Sequence, residues 1–142
     1  WVVSLPVQLG QADATPGLGP LAVVGILVYL VGLFFEVVGD AQLARFKADP
    51  ANAGAVMDRG LWRYTRHPNY FGDAAVWWGL AIVAAETGTG AWGLVGAAVM
   101  TVLLRRVSGV TLIEKSLTKR RAGYAEYVAR TSPFVPRPPK RV

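Results

Sequence analysis

Residues 18–38 read LGPLAVVGILVYLVGLFFEVV, and this stretch decides the fold. Its 21 residues carry one charged group, Glu36. As a helix rising ~1.5 Å per residue it is roughly 30 Å long, the thickness of a hydrocarbon core. Gly25, Gly32 and Gly39 recur every seven residues and fall near one face. A stripe of small residues lets a second helix approach closely, although glycine is also simply tolerated in membrane helices.

Two further apolar runs follow. Residues 70–85 and 87–104 are separated by the glycine-rich turn ETGTGA at 86–91. They are expected to form a helical hairpin that crosses a bilayer twice. The rival is a buried hairpin in a soluble protein, but Trp77, Trp78 and Trp92 suit anchors at an interface or against a partner helix. The opening WVVSLPVQLGQ lacks the basic flank of a signal peptide and reads as the end of a helix begun earlier. The expected fold class is therefore all-α, a multi-span integral membrane helical bundle. It would hold about three complete spans plus the end of an earlier one. Residues 1–142 are read as one transmembrane domain, the C-terminal part of a longer protein.

Composition agrees. Fifty-three per cent of the residues are hydrophobic and mean hydropathy is +0.35, which favours a membrane class over a soluble one. The absence of cysteine removes disulfides, thiolate nucleophiles and Cys-ligated metals, and a single histidine leaves no His-rich metal site. No metal is expected. The net charge of +6 is distributed unevenly. None of the 15 Lys and Arg residues lies in 1–44 or 67–104. Five stand between the first two spans, at Arg45, Lys47, Arg59, Arg63 and Arg66, and ten lie from Arg105 to Arg141. Three crossings put both regions on one side, and the positive-inside rule makes that side cytoplasmic. The loop 40–68 and the C-terminus are thus expected in the cytoplasm. The charge is then explained without nucleic acid as a partner; membrane lipids suffice.

Residues 108–128 read as an amphipathic segment at the cytoplasmic interface, with Lys115, Lys119, Arg120 and Arg121 towards water or headgroups. The tail SPFVPRPPKRV has four prolines and is expected to run extended.

The densest polar cluster is GLWRYTRHPNYFGD at 60–73, at the mouth of the second span. Polar groups held at a membrane edge are costly and mark a place for chemistry. Pro68 suits the first turn of a helix, and His67 before it is biased to extended backbone. Asn69 and Tyr70 then sit on the first turn, where free N–H groups and the helix dipole attract anions. Arg63 and Arg66 add forks suited to phosphate, or else anchor the span to headgroups. Glu36 and Asp40, four apart, share a helix face. Glu36 reads equally as a site carboxylate and as a helix-end partner of Arg45 or Lys47; for Asp40 the spacing favours the ion pair. Glu114 either joins the site or neutralises Lys115 or Arg106, and Tyr124 and Tyr127 suit interface anchors as well as cofactor contacts.

Together these residues resemble a known family. The run from Arg63 to Asp73, RYTRHPNYFGD, is similar to the signature of membrane sterol and steroid reductases. These include steroid 5-alpha-reductase-like proteins and the delta-14 and delta-7 sterol reductases. QLARFKADP at 42–50, Glu114-Lys115, Arg121 to Tyr124 with Tyr127, and PFVP at 133–136 resemble further segments of that family. The pattern is closest to the bacterial branch called DUF1295. The shorter RHPxY core is shared with isoprenylcysteine carboxyl methyltransferases and phospholipid methyltransferases. The resemblance implies a multi-span enzyme of lipid metabolism in the bacterial inner membrane. It would bind NADPH from the cytoplasm and reduce a carbon–carbon double bond in a steroid-like or other lipid, as a 3-oxo-5-alpha-steroid 4-dehydrogenase does. It carries cofactor contacts over to Glu36, Asp40, Lys47, Arg66, His67, Asn69, Tyr70, Asp73, Glu114 and Tyr124. The catalytic residues stay unassigned. Sterol reductases of the family have arginine where Lys47 stands, so the fork is replaced by a point charge. The alternatives are a lipid or prenylcysteine methyltransferase using S-adenosylmethionine, and a non-catalytic lipid-binding membrane protein.

Overall fold

The computed structural model describes residues 1–12, 17–108, 117 and 121–141. Five α-helices are present among them: α1 (Leu5–Gly10), α2 (Pro20–Ala48), α3 (Pro68–Ala84), α4 (Gly93–Val102) and α5 (Tyr124–Arg130). Short 3-10 turns occupy Pro50–Asn52, Gly60–Arg63 and Thr89–Trp92, and Leu103–Ser108 widens into a π-helical turn. No β-strand occurs among the described residues; one parallel bridge joins Thr65 to Ser132. The all-α architecture expected from the sequence is thus the one observed there. Most of residues 108–128, including Glu114, Lys115, Lys119 and Arg120, lies outside the described residues.

Helix α2 runs ten residues beyond the expected span. AQLARFKA offers no breaker, and the helix stops only where Pro50 forces Asp49 into extended backbone (φ −87°, ψ 115°). The Asp49 side chain then accepts from Ala51 N at 2.9 Å and starts the following turn. Two stretches, Pro20–Ala48 and Thr89–Val107, are long and apolar enough to cross a membrane. Only 17% of the most apolar window of α2 is buried, whereas the core helix of a soluble protein is mostly covered. Helix α3, with 17 residues, is shorter than either of these stretches and is not among them. It packs between α2 and α4, and α1 lies against α3 and α4. The hairpin of α3 and α4 is fastened by Trp78 Nε1, which donates to Thr101 Oγ1 at 3.0 Å. Trp78 is therefore a partner-helix anchor, while Trp92 is 71% exposed.

The seam between α2 and α3 is built from glycine. Gly25, Gly32 and Gly39 face Gly79, Gly72 and the start of α3. A Cβ built on Gly32 would stand 2.5 Å from Val76 N, and one on Gly79 would stand 2.6 Å from Tyr29 N. On Gly25 it would meet the Gly79 carbonyl at 2.7 Å, and on Gly72 it would press on Glu36 N. These neighbours are backbone atoms, which cannot rotate aside. The seven-residue period thus serves a backbone-to-backbone contact, and Phe46 continues it as a buried side chain.

At one end of the seam, Glu86 reaches from the turn after α3 to the start of α2. Its carboxylate accepts from Ala22 N at 2.7 Å, satisfying one of the orphan donors at a helix N-terminus. At the other end, loop and tail close over the helix ends. Trp62 Nε1 donates to the Gly39 carbonyl at 3.0 Å, and Leu61 N donates to Gln42 Oε1 at 2.9 Å. The Tyr127 hydroxyl donates to the Trp62 carbonyl. The tail runs extended, as its prolines require, beside 64–66. Arg66 N donates to the Ser132 carbonyl at 2.9 Å, Thr65 Oγ1 to the Phe134 carbonyl at 2.8 Å, and Arg137 N to the Tyr64 carbonyl at 3.0 Å.

Two outcomes follow from this packing. Gly72→Ala should cost about 1–3 kcal/mol by forcing the backbones apart. Gly88→Ala, where a Cβ meets nothing within 4 Å, should leave the thermal midpoint in detergent unchanged. Burial pushes the Tyr127 phenol well above its usual range. Its contribution is complete below the unfolded value of about 10 and is lost as pH rises towards the folded one. Tyr127→Phe should therefore lower stability by about 1–3 kcal/mol near neutral pH. It should also flatten the alkaline fall in a pH series of thermal melts; an unchanged alkaline slope would contradict the assignment.

Candidate functional site

A cavity of about 360 Å³ opens where the end of α2, the start of α3 and α5 converge. Leu43, Phe46 and Lys47 of α2 form one wall, and the loop Ala55–Met57 covers a second. Trp62, Arg66, His67, Asn69 and Tyr70 form the floor, closed by Arg121, Tyr124 and Tyr127. The walls combine aromatic rings with cations.

Local sequence explains each position. Pro68 is the first residue of α3, as expected, and His67 is its N-cap; its backbone (φ −141°, ψ 66°) avoids the helical region, as a residue before proline must, but stops short of the extended conformation expected. His67 is 5% exposed, and its ring stacks on Tyr70 with centroids 5.5 Å apart and planes within 7°. The stacked pair brings two near-parallel rings to the cavity lining. Asn69 Nδ2 donates to Asp40 Oδ1 at 2.9 Å, and Asn69 Oδ1 accepts from Tyr70 N at 3.0 Å. Asp40 therefore fixes the amide of a cavity residue instead of lining the cavity. Tyr124, 3% exposed, stands beside Tyr127 with ring centroids 5.8 Å apart.

Arg66 is 8% exposed, and its Nη1 donates to the carbonyls of Val128 at 3.0 Å and Thr131 at 2.7 Å. These carbonyls end α5, where a cation meets the negative end of the helix dipole. The guanidinium thus holds α5 in place as well as bordering the cavity. Arg121 works similarly from the other side: its Nη1 donates to the Ala55 carbonyl and ties down the covering loop.

Of the ten residues expected at the site, Lys47, Arg66, His67, Asn69, Tyr70 and Tyr124 come together on the cavity. Asp40 reaches it through Asn69. Glu36 and Asp73 do not line it. They lie deeper along the α2–α3 seam, within electrostatic reach of each other. Glu114 is outside the described residues. Phe46, Trp62, Arg121 and the loop Ala55–Met57 were not anticipated as site residues. For Phe46 a signal existed, because it falls seven residues after Gly39 in the seam period. Nothing local marks Met57, which arrives through the path of a loop.

The family model of DUF1295, described as a protein of unknown function, matches residues 1–131. Among curated proteins, steroid 5-alpha-reductase DET2 of Arabidopsis thaliana is 33% identical over 75 residues. That match covers 52% of this chain and 26% of DET2, so the chain spans about a quarter of that relative. No solved structure matches. With the family pattern running through α1 to the end of α5, the chain belongs to the DUF1295, steroid 5-alpha-reductase-like family.

Proposed function

We propose that the chain forms the cofactor-binding part of a membrane-embedded, NADPH-dependent reductase acting on a carbon–carbon double bond of a steroid-like or other lipid. The observation that carries this reading is the cavity in which Lys47, Arg66 and Arg121 meet the rings of Trp62, His67, Tyr70 and Tyr124. Cations suit the phosphates of a dinucleotide, and flat rings suit its bases. At about 360 Å³ the cavity is at the small end of ligand pockets, enough for part of a dinucleotide. S-adenosylmethionine, the cofactor of the rival methyltransferase reading, has no phosphate to meet the Lys47 ammonium, whereas Arg66 and Arg121 hold α5 and the covering loop with either cofactor. The reductase chemistry itself rests on the similarity to DET2.

Bound NADPH would supply a hydride to an activated alkene carbon. The chain's own part is to bind and orient. Lys47, exposed at the rim, offers an ammonium to a phosphate. Asp40 holds Asn69 with its amide fixed, and the His67–Tyr70 pair presents a face for stacking. Glu36 and Asp73, further along the seam, would then stand on the side from which a lipid approaches the cofactor. The membrane reading is supported by the exposed apolar face of α2, where Leu27, Leu30, Val31 and Phe34 are each about half exposed. Were α3 a third crossing, the Lys and Arg asymmetry would favour a cavity at the cytoplasmic surface.

Full-length protein in detergent should be stabilised by NADPH and not by S-adenosylmethionine in a thermal-shift titration; the reverse pattern would establish the methyltransferase instead. Lys47→Ala and Asn69→Ala should each weaken NADPH binding by about tenfold or more, the loss of one charge-assisted or oriented hydrogen bond. Arg137→Ala, an exposed cation away from the cavity, should have little effect. Equal losses in all three variants would point to headgroup anchoring.

A further inference from the structure

Behind the cavity lies a second, more polar cleft of about 530 Å³. Four cations line it, Arg63, Arg130, Lys140 and Arg141, against one carboxylate, Asp58. Asp58 is already taken by Arg130, which also stands 3.9 Å from Glu126. Arg63, Lys140 and Arg141 have no carboxylate partner among the described residues. Their convergence is built by the backbone. Lys140 N donates to the Arg130 carbonyl at 2.9 Å, and Arg137 N to the Tyr64 carbonyl at 3.0 Å. These bonds carry the tail across α5 and set Lys140 and Arg141 opposite Arg63. Like charges brought together by fixed backbone repel one another, and an anion between them removes the repulsion. Two or more arginine forks and an ammonium are the donor set for a phosphate monoester.

The cleft and the cavity share a partition. Asp58 follows the loop that covers the cavity, Arg63 follows Trp62, and the Thr131 carbonyl at the cleft wall accepts from Arg66. We propose that this cleft is a phosphate-binding site adjoining the aromatic cavity, its ligand a phosphate monoester on either a dinucleotide or an anionic lipid headgroup. The dinucleotide source rests on the reductase reading; the lipid source does not. Asp58 opposes the ligand, because a bound phosphate competes with it for Arg130.

The test uses full-length protein in detergent, titrated with inorganic phosphate against chloride at matched ionic strength. Phosphate should stabilise the protein beyond chloride. The double variant Arg63→Gln/Lys140→Gln should weaken that effect by about tenfold, the loss of charge-assisted bonds. Asp58→Asn should strengthen it, a change that simple damage to the fold does not produce. Two further arms identify the source. If the double variant loses affinity for NADPH but not for NADH, the phosphate belongs to the dinucleotide. If both affinities stay, while stabilisation by nanodiscs of phosphatidylcholine with phosphatidic acid over phosphatidylcholine alone is lost, it belongs to a lipid. Wild-type protein that binds neither NADPH nor NADH would remove the reductase reading and leave the phosphate and lipid arms to decide the cleft. Phosphate no better than chloride, with nucleotide preference and lipid response unchanged in the double variant, overturns the proposal.

Discussion

The close approach of α2 and α3 is the constraint on which the rest depends. In lipid there is no hydrophobic drive between two apolar helices, so dispersion contacts and hydrogen bonds must hold them. Dispersion falls off steeply with distance, and only glycine lets one backbone lie on another. The seam then fixes register. With Gly32 against Gly72 and Val76, and Gly39 against Pro68 and Asn69, Asp40 arrives beside Asn69. The next two turns of α2 bring Leu43, Phe46 and Lys47 to the cavity beside the start of α3. A side chain in the seam would push the helices apart and separate the two walls of the cavity.

The second organising device is side-chain donation to backbone carbonyls. Trp62 bonds Gly39, Tyr127 bonds Trp62, Thr65 bonds Phe134, and Arg66 bonds the end of α5. Buried donors and acceptors need such partners, since each one left unpaired costs about 1–3 kcal/mol. The polar cluster of 60–73 thus has a double occupation. Trp62 Nε1, Thr65 Oγ1 and the Nη1 of Arg66 bond the scaffold, while the ring of Trp62 and the side chains of His67, Asn69 and Tyr70 line the cavity. Removal of the Arg66 guanidinium would disturb α5 together with any ligand, so it reports on both at once.

The helices were legible in the sequence wherever the signal was local or periodic. Apolar length gave α2, Pro68 gave the start of α3, and the glycine period gave the seam. What stayed hidden was carried by long-range backbone pairing. The Thr65–Ser132 bridge joins residues far apart in sequence, and no pattern near either one announces it. Glu86 is a similar case: a carboxylate in a glycine-rich turn reads as a solvated charge until Ala22 is seen to donate to it. The site was read as a set of contacts on one surface. The structure divides it by depth, with Lys47 and Tyr124 at the cavity and Glu36 and Asp73 further along the seam.

The bridge between Thr65 and the tail also has a consequence in time. The chain leaves the ribosome N-terminus first, so α2 and α3 can pair long before residues 124–137 exist. Until those residues emerge, Thr65 and Arg66 lack the partners that Phe134, Ser132 and Thr131 later supply. The cavity therefore closes only once residues 121–137 are made, and a nascent chain paused before them has the α2–α3 pair without the side that Arg121, Tyr124 and Tyr127 supply.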